Sequence, residues 1–191
     1  ITAIDNATGY VGSAGASCIA GSIILSDVHP NRGVIHTQAY YISANQVYAR
    51  GLMNLGLSPQ QIIDSLVAHD KGNPPNNTIR QYGITDNIGG GRTAGYTGVN
   101  CNVYRNHMLG TTFTVQGNIL LGQQILDSMF ARFTNTNGTF AEKLMAALQG
   151  AKVIGADTGC TSRGTSTISA FIRVAKPTDP QSGPYWLDLN V

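Results

Sequence analysis

The sequence predicts an α+β protein in which antiparallel sheets carry helix pairs on their outer faces, and three observations point there. Segments of alternating side chains and segments of helical periodicity come in blocks, in the order strands, two helices, strands, two helices, strands. Turn signals rich in Gly, Asn and Pro separate the strand candidates. The composition, 42% hydrophobic over 191 residues, is enough for one core, so one domain over 1–191 is expected.

Each element has its own signal. Residues 2–5 and 10–18 flank Asn6-Ala7-Thr8-Gly9 and read as a hairpin. Its second strand, Gly12-Ser13-Ala14-Gly15-Ala16-Ser17, is so small-chained that another backbone, a helix or a ligand is expected close by. A third strand, 33–39, follows the turn Pro30-Asn31-Arg32-Gly33. Helices are expected at 43–55, ending at Gly56, and after the N-cap Ser58 with Pro59 at the first helical position. The Asn- and Pro-rich stretch 71–77 is a loop. Strands are expected at 79–85, 93–97 and 111–116, helices at 118–133 (with Asn118 as N-cap) and 139–149, and final strands at 166–175 and 185–189.

Only 12% of the chain is charged and the formal net charge is +2. That balance excludes charge-driven disorder, and basic residues scattered singly exclude a nucleic-acid binder. No apolar stretch reaches the roughly 20 residues that cross a bilayer. His29, His36, His69 and His107 lack metal-ligand spacing, the nine aspartates form no calcium loop, and neither a metal nor a cofactor is expected. Gly89-Gly90-Gly91-Arg92 lacks the ending of a phosphate loop and reads as a hairpin turn. Of three cysteines, Cys101 and Cys160 lie in loop-like segments and are expected to pair, with Cys18 buried as a thiol; three free thiols is the alternative. Low charge and a disulfide together point to a secreted protein, and neutral polar surfaces to a homo-oligomer.

Three polar segments exceed what packing needs: His36-Thr37-Gln38, Gln116-Gly117-Asn118, and Asp157 with Arg163, the last an ion pair or an anion-binding corner. Should the strand ends converge, these groups would share one cleft.

Thr37-Gln38-Ala39, Gly56-Leu57-Ser58-Pro59, Arg80-Gln81-Tyr82-Gly83, Tyr96-Thr97-Gly98, Val115-Gln116-Gly117-Asn118, Gly155-Ala156-Asp157, Arg163-Gly164 and Leu187-Asp188-Leu189 occur in that order. In them the whole chain resembles domain of unknown function family 1028, which is grouped with the Ntn hydrolases. The resemblance implies a four-layer αββα sandwich. It also implies amide hydrolysis by an N-terminal Thr, Ser or Cys whose own α-amine is the base. Ile1 offers no such nucleophile, and the nitrogen of Thr2 lies in a peptide bond. His36 stands where the family is expected to carry a small residue, and 158–162 looks inserted. Two functions are therefore expected: a non-catalytic assembly or binding module for a small-molecule or peptide ligand, or an amidohydrolase. In the second, Thr2, His36 and Asn118 would be catalytic. Thr37, Gln38, Gln116, Asp157 and Arg163 would bind substrate.

Overall fold

A computed structural model describes residues 1–191. The strands are β1 (Thr2–Asp5), β2 (Tyr10–Ser17), β3 (Ser26–His29), β4 (Gly33–Gln38), β5 (Gln81–Asp86), β6 (Arg92–Thr97), β7 (Asn106–Leu109), β8 (Phe113–Gly117), β9 (Ser169–Ala175) and β10 (Leu187–Asn190). The helices are α1 (Ser43–Asn54), α2 (Pro59–Ala68), α3 (Gln123–Asn135) and α4 (Phe140–Gly150). They form a mixed α+β fold with two antiparallel sheets, ordered β10-β9-β2-β1-β8-β7 and β3-β4-β5-β6.

The expected blocks are present, and the local chemistry accounts for their ends. Asp5 pairs with Tyr10 across the first turn, where Gly9 takes a φ of 72°. Ser58 and Thr139 cap α2 and α4 through reciprocal bonds with Gln61 and Glu142. β3 and β7 were not expected: each is four residues long and carries polar side chains in place of a clear alternation. The third helix starts later than its periodicity suggests, at Gln123, and Asn118 is not its N-cap. Tertiary bonds claim the intervening backbone: Leu120 N–H donates to Tyr104 O, Leu121 N–H to Ala156 O, and Thr158 N–H to Ile119 O.

Side chains sort by strand parity. Ala3, Ala14, Val115, Ile172 and Val174 of the first sheet pack with Ile125, Met129, Phe133, Phe140 and Leu144 of α3 and α4. Ile35, Tyr82, Ile84 and Ala94 of the second sheet pack with Ala49, Met53, Ile62 and Leu66 of α1 and α2. Between the sheets, Ile4, Val11, Val28, Val34 and Ala175 form a small apolar cluster at one end. Toward the other end the same space is polar, holding Thr2, Ser13, Ser26, His36, Gln81, Thr85, Thr114 and Gln116, all buried.

The cysteine expectation is overturned. Cys18 is bonded to Cys160, and Cys101 is the buried free thiol, its sulfur 3.3 Å from Arg80 O. Cys101 follows β6 of the second sheet, whereas Cys160 lies against the end of β2, where Cys18 emerges. Loop-like composition carries no information on that distance. Beside Cys101, the buried pair Arg80–Asp70 joins Asn45, Tyr82 and the 71–77 loop: Asp70 accepts from Arg80 Nε (3.1 Å), Asn45 Nδ2 (2.5 Å) and Asn76 N–H (2.6 Å). Burial pushes the Asp70 carboxyl up, and these donors outweigh it and hold the carboxyl below its ordinary value.

Candidate functional site

A cleft of about 650 Å³ opens where β2, β4 and β8 end. The strand of small residues forms one wall, through Gly15, Ala16 and Ser17, and the expected close approach is made by helix α4 at Gly12, where a Cβ would stand 2.9 Å from Leu144 and 3.0 Å from Phe140. Phe171 of β9 covers Gly15 so closely that a Cβ there would stand 2.7 Å from its ring. Ile125, Leu126, Met129, Met145 and Leu148 of α3 and α4 line an apolar side, while Tyr40, Tyr41 and Ile19 stand at the rim.

The floor is polar, and its hydrogen bonds fix which atoms remain available. Gln81 Nε2 donates its two protons to backbone carbonyls, Asn106 O (3.0 Å) and Gly117 O (2.9 Å), with Thr97 Oγ1 also 2.9 Å away. Carbonyl oxygens only accept, so Gln81 Oε1 must face the cleft side, where it accepts from Gln38 Nε2 (2.8 Å) and Asn118 Nδ2 (3.2 Å). Both amides are thereby turned nitrogen-inward. A second chain runs Thr85, Thr2, Thr114, Gln116, His36: Thr2 Oγ1 meets Thr85 Oγ1 at 2.7 Å and Thr114 Oγ1 at 2.9 Å. Thr114 then donates to Gln116 Oε1, and Gln116 Nε2 donates to His36 Nδ1. Gln116 lies flat on Gly83, where a Cβ would fall 2.3 Å from its Oε1.

With Nδ1 accepting, a neutral His36 carries its proton on Nε2, and that buried atom has no partner in the protein. Burial, and secondarily the Ile1 ammonium, hold this imidazole well below 6.5. Burial likewise pushes the Ile1 ammonium down to about 5, and it donates to Ala14 O at 2.9 Å.

Of the residues singled out in the sequence, His36, Gln38, Gln116, Asn118 and Asp157 line this cleft. Asp157 is fully engaged, accepting from Cys18 N–H (2.8 Å), Ser17 Oγ (3.2 Å) and Gly159 N–H (2.9 Å), so it fastens the rim. Thr2 is buried beneath the floor between the sheets. Thr37 points away, its buried hydroxyl unpaired. Arg163 is exposed at the end of a 3-10 turn (Thr158–Arg163) and makes no ion pair with Asp157, so of the two expectations for these residues the ion pair is not formed. Sequence reasoning missed Ile1, the 119–120 loop and the α3 and α4 side chains, because core residues and cleft-lining residues share one helical period. No group of three His, Cys, Asp or Glu side chains is placed to hold a metal ion.

The model of a family described as a family of unknown function (DUF1028) matches residues 1–191. Among solved structures, the chain is similar to protein SPO2555 from Silicibacter pomeroyi, which is ascribed to the same family. The TM-score is 0.79 at 21% identity, over 100% of this chain and 78% of that one. No curated protein matches.

Proposed function

We propose that this chain, which belongs to the family of unknown function DUF1028, is a non-catalytic binding module whose cleft receives a small amphipathic molecule or a stretch of peptide. The observation that carries this is the unpaired, buried Nε2 of His36 on the floor of a largely apolar cleft. A buried donor without a partner costs about 1–3 kcal/mol, and a ligand acceptor would recover it. The hydroxyl chain supports a role without catalysis: Thr2 Oγ1 is held beneath the floor by bonds to Thr85 and Thr114.

We read the layer order, with helices outside two facing sheets, as the four-layer αββα sandwich of the Ntn hydrolases in one domain over 1–191. The sorted apolar clusters support this reading. The Cys18–Cys160 bond favours secretion, and the exposed Val47 of α1 and Leu55 just beyond its end favour a homo-oligomer.

Titration with the neutral fluorophore N-phenyl-1-naphthylamine tests the cleft. Saturable one-to-one binding that Ala170→Trp abolishes is the expected result, since Ala170 lines the cavity. Binding that Ala170→Trp leaves unchanged refutes the cleft as the site.

A further inference from the structure

The link between α3 and α4 carries a covalent weakness that the fold leaves open. An asparagine side chain is attacked by the main-chain nitrogen of the next residue where that nitrogen is unhindered, and glycine, with no Cβ, hinders it least. Asn137-Gly138 is the one Asn-Gly pair among the fifteen asparagines of the chain. It lies in the short link 136–139, and both residues are exposed.

The pair with the next smallest successor, Asn6-Ala7, is tied down. Asn6 Nδ2 donates to Gly90 O at 2.6 Å, and Ala7 N–H donates to Asp5 Oδ1 at 3.1 Å. Asn76 is held as well, its Oδ1 accepting from Thr78 Oγ1 at 2.6 Å. At position 137 neither the side-chain amide nor the N–H of Gly138 is hydrogen-bonded, so both reacting groups are free to approach. The helix cap explains the glycine. Glu142 turns back to accept from Thr139 N–H (2.7 Å) and Thr139 Oγ1 (2.9 Å), and its Oε2 would stand 2.7 Å from a Cβ at 138. A side chain there would push the carboxylate off the cap, so the reciprocal cap of α4 favours the residue that makes Asn137 reactive.

We propose that Asn137 is a site of spontaneous deamidation, with water as co-reactant, and that the modification weakens the start of α4. The Gly138 nitrogen, its proton taken by hydroxide, forms a bond to Asn137 Cγ. The bond from Cγ to the side-chain nitrogen breaks, and that nitrogen takes up a proton and leaves as ammonia. Water opens the resulting five-membered imide at Cγ to give aspartate, or at the main-chain carbonyl carbon to give an isoaspartyl link in which the chain runs through Cβ and Cγ. Either route consumes one water and releases one ammonia, with nothing oxidised or reduced. The isoaspartyl route lengthens the link by one carbon between Phe133 of α3 and Phe140 of α4, both fixed by burial in the core. That extra length falls on the Thr139–Glu142 cap.

Incubation of the intact chain at about pH 8 and about 37 °C, sampled daily by mass spectrometry of tryptic fragments, tests this. The fragment Phe133–Lys143 should gain about 1 Da at Asn137 as two new chromatographic species, about tenfold faster than any other asparagine of the chain. Asn137→Gln removes the five-membered route and should leave that fragment unchanged over the same days. After ageing, the wild type should unfold about 2–4 °C below the fresh protein, whereas aged Asn137→Gln should match its own fresh sample. Deamidation at Asn137 no faster than at Asn6, or aspartate as the sole product, overturns the imide at this site. An aged chain that carries the isoaspartyl link yet unfolds with the fresh one overturns the weakening of α4.

Discussion

Replacing His36 with Gln should flatten the fall of stability with acid, and the size of the effect follows from the burial of the ring. In the unfolded chain the imidazole titrates near 6.5, whereas in the fold burial holds it well below that value. Between the two values the unfolded state binds the extra proton, so stability falls as pH falls. Below 6.5 the slope is about 1.4 kcal/mol per pH unit, and with a ring still neutral at pH 5 the loss from pH 7 to pH 5 approaches 2 kcal/mol. Glutamine carries no titrating proton, yet its amide can still accept from Gln116 and donate into the cleft. Urea unfolding of both chains at pH 7, 6 and 5 reads the difference directly: the wild type should lose about 2 kcal/mol more than His36→Gln. The buried Ile1 ammonium contributes acid sensitivity of the same sign to both chains, so it cancels in the comparison. Curves that fall in parallel would mean that His36 keeps its proton affinity in the fold, and the assignment of a neutral ring with a free Nε2–H would be wrong.

Two further perturbations probe the frame around the cleft. The Cys18–Cys160 bond closes a loop with a sequence separation of 142, for which chain entropy predicts a contribution of about 5 kcal/mol as an upper figure. Cys18→Ala/Cys160→Ala should lower the urea-derived stability by about 2–5 kcal/mol, and a loss under about 1 kcal/mol would show that the Asp157 bonds hold the rim without it. Asp70→Asn strands the Arg80 guanidinium, whose side chain is only 6% exposed, and should cost about 3–5 kcal/mol by thermal or urea unfolding. The lowered Asp70 carboxyl contributes stability above its unfolded value near 3.9 that is lost as pH falls through its folded value. The Asn variant should lack that acid limb, and a variant that keeps it would assign the limb to another group.

Much of the frame was legible because its signals are local. Ser58 with Gln61, and Thr139 with Glu142, announce helix starts within four residues, and the Pro59 and Gly56 punctuation agrees with them. Where the sequence misled, a distant partner decided. Residues 118–122 have helical periodicity, but Tyr104 and Ala156 take their backbone groups, and a bond across the fold outweighs the start of a helix. β3 and β7 depend on pairing with β4 and β8 and have little strand signal of their own.

The site divides in the same way. Polar residues at strand ends were visible, and five of those singled out do converge: His36, Gln38, Gln116, Asn118 and Asp157. Their roles were not visible, because a role here depends on which atom is already used. Gln38 and Asn118 look alike in sequence to any surface amide, and only Gln81, fixed by two carbonyls, turns their nitrogens inward and leaves their oxygens toward the cleft. The run Gly12-Ser13-Ala14-Gly15-Ala16-Ser17 was the one part of the wall whose small side chains implied that something must come close to the backbone. In the fold, Leu144 and Phe140 of α4 come close at Gly12 and Phe171 at Gly15, and Ala16 lines the open cleft, so the sequence announced the approach without saying what makes it.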